Sequence, residues 1–302
     1  GAILSPVPRF DLTVALGALK PAHRLQPAAD LCGRVVVADI GIDVPAGDLI
    51  EVARPHLPAP CPEDNKYTRG CVAVVAGAMP GASLLAAGGA QRAGAGYAML
   101  AGGTGSGGAL ALVHRPAHTA GELGAVLADE RIGAVVLGPG LGRDQKALLC
   151  GRPLILDADA LTLLAEKVPE KLRALPHTPI LTPHEGEFAR LFGTVSGSKI
   201  ERARTAARRT NAIVLLKGSD SVIAHPDGRA AIAAAAPAWL ASAGTGDVLA
   251  GIVGAMRARG LEPFASAMAA LWLHGEAARL AGPALIADDL LTHLPAALAA
   301  CL

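Results

Sequence analysis

The sequence has no Cys-x-x-Cys pair, no residues at zinc-ligand spacing, no Gly-x-Ser-x-Gly elbow and no Walker A loop. These absences argue against a metal or disulfide framework, a hydrolase nucleophile and a P-loop phosphate cradle. The five cysteines, Cys32, Cys61, Cys71, Cys150 and Cys301, are odd in number and read as reduced thiols of a cytoplasmic protein. Charge of one sign is also lacking: 27 basic residues face 26 acidic ones, with no basic cluster or stripe. A nucleic-acid partner is therefore not expected. No secretory signal pattern opens the sequence. Residues 71–90 and 93–113 carry no charge, but glycines break both, and Pro80 breaks the first. Interrupted in this way, they read as strand–loop–helix units and not as membrane spans. The chain begins at Gly1 and not at Met, as expected of a fragment or processed product.

What is present is Ala, Gly and Pro, with Gly and Pro placed at the ends of apolar runs, as tight strand-to-helix turns require. Two strand-like runs, Leu12–Leu16 and Val35–Ile40, set residues 1–47 apart. Asp48–Arg69 holds Pro55, Pro58, Pro60 and Pro62 and reads as a linker or crossover. Short apolar runs then alternate with helical patterns. The runs are Val72–Val75, Ile132–Leu137, Pro153–Leu156, Pro179–Leu181 and Ile213–Leu216. The helices are predicted at Ala82–Ala93, Ala160–Glu166, Glu187–Phe192, Val248–Met256 and Ser266–Leu280. This alternation predicts an α/β fold with a parallel sheet covered on both faces. In such sheets ligands bind beyond the carboxyl ends of the strands. Gly140, Asp157, His184, Lys217 and the loop 244–247 are thus candidates for one cleft.

Gly244-Thr245-Gly246-Asp247 carries the most information. Two glycines around a threonine let the backbone turn with its amides outward, and a helix follows at once, which makes an anion site. Asp247 then has two readings of equal weight. It is either a carboxylate favoured by the helix dipole or a general base beside bound phosphate. Lys217 is either a solvated strand-end charge or a phosphate contact in Lys217-Gly218-Ser219-Asp220-Ser221. Asp157 and Asp159 suit Mg²⁺ held through water, or capping of the helix that follows. His184 follows Pro183 in a strand-end loop and is open to a structural or a binding role. His274, on an apolar helical face, reads as a satisfied core residue.

In order along the chain, Pro-Gly-Ala (80–82), Gly-Pro-Gly-Leu-Gly (138–142), Leu-Asp-Ala-Asp-Ala-Leu (156–161), Thr-Pro-His-Glu-Gly-Glu (182–187), Leu-Leu-Lys-Gly (215–218) and Ala-Gly-Thr-Gly-Asp-Val-Leu-Ala-Gly (243–251) resemble the ADP-dependent NAD(P)H-hydrate dehydratase family. The resemblance covers residues 48–302. It implies a ribokinase-like three-layer α/β/α fold with a mostly parallel central sheet. It also implies ADP (or ATP) as co-substrate with Mg²⁺, and K⁺ as a further candidate ion. By this resemblance Asp247 is the base, and the amides of Gly244, Thr245 and Gly246 stabilise the transferring phosphoryl. Ala82, Gly140, Gly142, His184 and Asp247 contact hydrated NADH or NADPH. Lys217, Gly218, Ser219, Asp220, Ser221 and Gly246 hold ADP, and Asp157 is the metal candidate. A homo-oligomer is expected on the same ground. The sequence departs from the family in a short loop at 77–81, a short stretch at 143–152 and a glycine-rich stretch at 101–110. Residues 11–21 and 35–42 resemble the final strands of an NAD(P)H-hydrate epimerase domain, so residues 1–47 are assigned as its C-terminal remnant. Two alternatives remain: a vitamin or thiazole kinase of the same superfamily, and a catalytically inactive nucleotide-binding scaffold.

Overall fold

The computed structural model describes residues 1–45, 47–103, 107–142, 150–165 and 168–302. The departures at 104–106 and 143–149, and the predicted end of the helix at Glu166, lie outside the described residues. Strands β1 (Leu12–Leu16) and β2 (Arg34–Ala38) pair in parallel as a separate two-stranded sheet. The main sheet has ten strands among the described residues. They are β3 (Leu49–Glu51), β4 (Cys71–Val75), β5 (Tyr97–Ala101), β6 (Val113–Arg115), β7 (Ala134–Leu137), β8 (Leu154–Leu156), β9 (Ile180–Leu181), β10 (Ile213–Leu216), β11 (Val222–Ala224) and β12 (Ala230–Ile232). Their spatial order is β3-β12-β11-β10-β9-β8-β7-β4-β5-β6. The run from β10 to β6 is wholly parallel, whereas β11 is antiparallel to both its neighbours.

The helices are α1 (Pro80–Arg92), α2 (Ala120–Leu127), α3 (Ala158–Leu164), α4 (Val168–Arg173), α5 (Glu185–Phe192), α6 (Lys199–Thr210), α7 (Thr245–Ala258), α8 (Pro263–Ala281) and α9 (Ala287–Ala299). Alternation along each strand divides them between two layers. Val72, Val74, Val136, Ile155 and Leu215 pack with α1, α7, α8 and α9. Ala73, Val75, Val135, Leu156 and Leu216 pack with α3, α5 and α6 on the other face. Both faces are covered, which is why the strands read as unbroken apolar runs. Among the described residues no helix is long and apolar enough to cross a membrane.

Two sequence readings change. The Pro-rich stretch 48–69 is not only a linker, because its Leu49–Glu51 joins the main sheet beside Ala230–Ile232. Three residues are too few for a periodic signal. Among the described residues, 93–113 holds β5 and the start of β6 and no helix.

Helices α1 and α7 approach closely because small residues line the contact. A Cβ on Gly251 would collide with the Ala86 carbonyl, and one on Gly89 would lie 2.6 Å from the Val248 carbonyl oxygen. Gly251→Ala should therefore destabilise the fold by about 1–3 kcal/mol, the usual cost of overpacking. The urea midpoint checks this, and an unchanged midpoint would mean that the two helices separate freely.

Candidate active site

The parallel strands aim β7, β8, β9 and β10 at one edge of the sheet, and the candidate residues gather there. Asp157 follows β8, is only 2% exposed, and caps α3 without a side-chain capping bond. Its Oδ1 accepts from Thr182 Oγ1 at 2.8 Å, just past β9, and from Lys217 Nζ at 2.7 Å, just past β10. Burial opposes the charge on Lys217, but Asp157, Glu187 and Asp247 together hold its pKa above the ordinary lysine value. The same ammonium reaches the glycine loop, because a Cβ on Gly246 would lie 3.4 Å from Lys217 Nζ.

That loop opens α7. Gly244 has φ 85°, a left-handed conformation suited to glycine, and a Cβ there would press on Leu85 at 2.6 Å. The N-cap Gly244 has no side chain with which to cap α7, and the first bond at this end is Val248 N–H to Gly244 O at 3.2 Å. The amides before it are the donors that an anion uses. Thr245 adds only its main chain: its hydroxyl donates to Leu240 O and Ser242 O, both at 2.9 Å. Buried His274 bonds Thr245 O at 2.9 Å, as a satisfied core histidine does. Burial lowers its pKa to about 4, so it is neutral.

Asp247 stands in the first turn of α7, half-buried. Burial, joined by the charges of Asp157, Asp159 and Glu187 and opposed by Lys217, pushes its pKa up to about 7. A carboxyl poised there can accept a proton at neutral pH. Among the described residues, Asp157 and Glu187 thus act on both Asp247 and the Lys217 ammonium, with opposite effects on the two charges. Among the described residues, however, no three His, Cys, Asp or Glu side chains form a ready metal cage. The donor set would suit a Mg²⁺ held by nucleotide phosphates and water, with a carboxylate alongside. Asp157 fits such an outer role, because one of its oxygens already takes Thr182 and Lys217.

Of the substrate-side candidates, Ala82 and the 138–142 loop also meet. Asp159 does not serve as the helix cap; its Oδ2 accepts from Gly142 N at 3.0 Å and ties α3 to the 138–142 loop. Gly140 O accepts from Met79 N at 2.9 Å, and a Gly140 Cβ would stand 3.1 Å from Ala82 Cβ. His184 is the N-cap of α5, with Nδ1 accepting from Gly186 N at 2.9 Å. The proton of the neutral ring is then on Nε2. That side chain is 53% exposed, so the ring remains open to a ligand.

The Lys217–Ser221 loop is more mixed. Gly218 and Ser219 are exposed. Ser221 Oγ accepts from Gly218 N at 3.1 Å and donates to Gly218 O at 2.8 Å, which closes the turn. Asp220 is buried and engaged by Lys199 at 2.6 Å and by Gln26 N at 3.0 Å.

Three residues in contact with these candidates escaped the sequence reading: Thr182, Glu187 and Lys199. Glu187 is 8% exposed and accepts from His184 N at 2.8 Å, so its spacing reads as a capping box. Lys199 carried a usable signal. It is a cation in the first turn of a helix, where the dipole favours an anion.

Comparison with known proteins agrees with this geometry. The NAD(P)H-hydrate dehydratase family pattern matches residues 72–298. A bifunctional NAD(P)H-hydrate repair enzyme, Nnr, of Mycobacterium tuberculosis (strain ATCC 25618 / H37Rv) is 42% identical over 276 residues, covering 86% of this chain. The chain spans 56% of the length of that relative. An ADP/ATP-dependent NAD(P)H-hydrate dehydratase from Bacillus subtilis, co-crystallised with ATP and Mg²⁺, superposes with TM-score 0.68 and 29% identity, covering 82% of this chain and 95% of its own. A ribokinase-like superfamily protein from Enterococcus faecalis, 20% identical, has the same fold, with TM-score 0.69 over 86% of this chain and 99% of its own. The fold is therefore ribokinase-like α/β/α, and the chain belongs to the NAD(P)H-hydrate dehydratase family.

Proposed function

We propose that this chain restores hydrated NADH or NADPH using ADP, which becomes AMP and phosphate. The observation that carries the proposal is the meeting of Asp247, with its pKa near 7, the glycine-started N-terminus of α7 and the Lys217 ammonium. In this reading Asp247 takes the proton of the ring hydroxyl as its oxygen attacks the terminal phosphorus of ADP. The amides of Gly244, Thr245 and Gly246 and the Lys217 charge stabilise the transferring phosphoryl. The carbon–oxygen bond then breaks, pushed by the ring-nitrogen lone pair, and phosphate leaves with that oxygen. Loss of a proton from the neighbouring carbon restores the double bond. Mg²⁺, when bound with the nucleotide, would neutralise phosphate charge beside Asp157 and Glu187.

Ala82, Gly140, Gly142 and His184 would contact the hydrate. Lys217, the backbone of Gly218–Ser221 and Gly246 would hold ADP. For residues 1–47 we propose the end of an epimerase-like domain. Leu12, Val14 and Leu16 are each at least half exposed on β1, and a two-stranded sheet seldom stands alone. The five free thiols support a cytoplasmic location. Assembly into a homo-oligomer is part of the same reading.

The products test the reaction. A dehydratase yields AMP and inorganic phosphate in equal amounts from ADP and hydrate, whereas a vitamin or thiazole kinase leaves a stable phosphoester of its alcohol. Accumulation of such an ester without phosphate release would replace the dehydratase reading by the kinase one. The base also predicts a pH limb. Asp247 must be ionised to accept a proton, so kcat/KM should fall about tenfold per pH unit below pH ~7. A profile flat from pH 5 to 8 would exclude a base with this pKa.

A further inference from the structure

The loop proposed to hold ADP rests on an ionic support that reaches into the N-terminal segment. We infer that Lys199 and Asp220 are positioning residues for the Lys217–Ser221 loop, with the main-chain amide of Gln26 as a third support. The inference rests on the reading that this loop holds ADP.

Lys199 is the first residue of α6, and its side chain is 8% exposed. A buried cation at a helix start meets both a desolvation cost and the unfavourable end of the dipole, so a partner must fix it. Its Nζ lies 2.6 Å from Asp220 Oδ1, 3.4 Å from Lys217 O and 3.8 Å from Glu185 Oε1. A Cβ on Gly218 would collide with that ammonium, so the glycine lets the charge sit directly against the loop. The other oxygen of Asp220 accepts the Gln26 N–H at 3.0 Å, from 194 residues away in sequence.

Gln26 is itself anchored. Leu25 is 3% exposed and packs in the core that also holds Leu216 and Val222, on either side of the loop, and Arg24 pairs with Glu51 of β3. The chain of contacts runs from residues 24–26 through Asp220 and Lys199 to the carbonyl of Lys217. The ammonium of Lys217 in turn reaches Asp157 and the start of α7. Residues 1–47 therefore help to set the geometry of the nucleotide loop, although none of their side chains need touch the nucleotide.

The experiment combines kinetics with hydrogen exchange. With hydrate saturating and ADP varied, Asp220→Ala should raise KM for ADP about tenfold, the scale of one charged hydrogen bond, with a smaller fall in kcat. Asp220→Asn retains an oxygen for the Gln26 amide and should lie between the two. In the unaltered chain, ADP should slow exchange at the Gln26 amide, because coupling between two sites is reciprocal. A KM for ADP within about twofold of the unaltered value in Asp220→Ala overturns the inference. So does a Gln26 exchange rate indifferent to saturating ADP. If Asp220→Ala does not fold, the exchange measurement on the unaltered chain decides alone. An unaltered chain that ADP does not saturate overturns the ADP reading and this inference with it, whereas normal saturation with an unresponsive Gln26 overturns this inference only.

Discussion

Asp247→Asn should lower turnover by about 10²–10⁴-fold, the usual contribution of a positioned general base, while leaving ADP binding within a few-fold. The amide has nearly the same shape and keeps an acceptor oxygen, so the start of α7 should be undisturbed. It cannot take a proton at any accessible pH, and the limb near pH 7 should vanish from whatever activity remains. Asp247 is half-buried near Asp157, Asp159 and Glu187, and removing its charge relieves their repulsion. Asp247→Asn is therefore expected to be at least as stable as the unaltered chain. Turnover and a thermal melt, measured on one preparation, check both parts. Full activity in the variant would assign Asp247 to the helix dipole and not to catalysis.

The second large effect concerns stability. Lys217→Met removes the cation from Asp157, a carboxylate only 2% exposed. Breaking a buried pair from one side typically costs about 3–5 kcal/mol, because the remaining charge is left uncompensated. The double variant Lys217→Met/Asp157→Asn should recover most of that loss, since Thr182 can still donate to the amide oxygen. The recovery is the informative part, because two contacting residues should be strongly non-additive. Denaturant midpoints of the single and double variants measure it. Additive losses would mean that the pair does not hold the site together. Activity should stay low in both variants, because neither restores the charge beside Gly246.

The parallel core of the fold was legible in the sequence because its strands are buried on both faces. Ile213–Leu216 is predicted and found with the same bounds, and Val72–Val75 is one residue short of β4. The strands that were missed have a different physics. β3, β11 and β12 are three residues each and lie at the antiparallel side of the sheet, where neither length nor alternation marks them. In the uncharged window 93–113 the expected strand is present as β5, whereas the helix expected after its glycines is not found among the described residues.

The site divides in the same way. The glycine loop with Asp247 stands out locally because a turn, a helix start and a carboxylate coincide. Asp159 was ambiguous because Gly142 N, from which its Oδ2 accepts, lies 17 residues away in sequence. Glu187 hid behind a capping-box spacing that it does satisfy. The link between Asp220 and Gln26 could not be read from sequence at all, since it depends on how two distant segments pack.

The most direct test of the account is to give this chain hydrated NADH and ADP and to follow the reduced nicotinamide absorbance together with AMP. The account predicts that the absorbance returns, with one AMP and one phosphate formed for each NADH restored. No return with either ADP or ATP would contradict it.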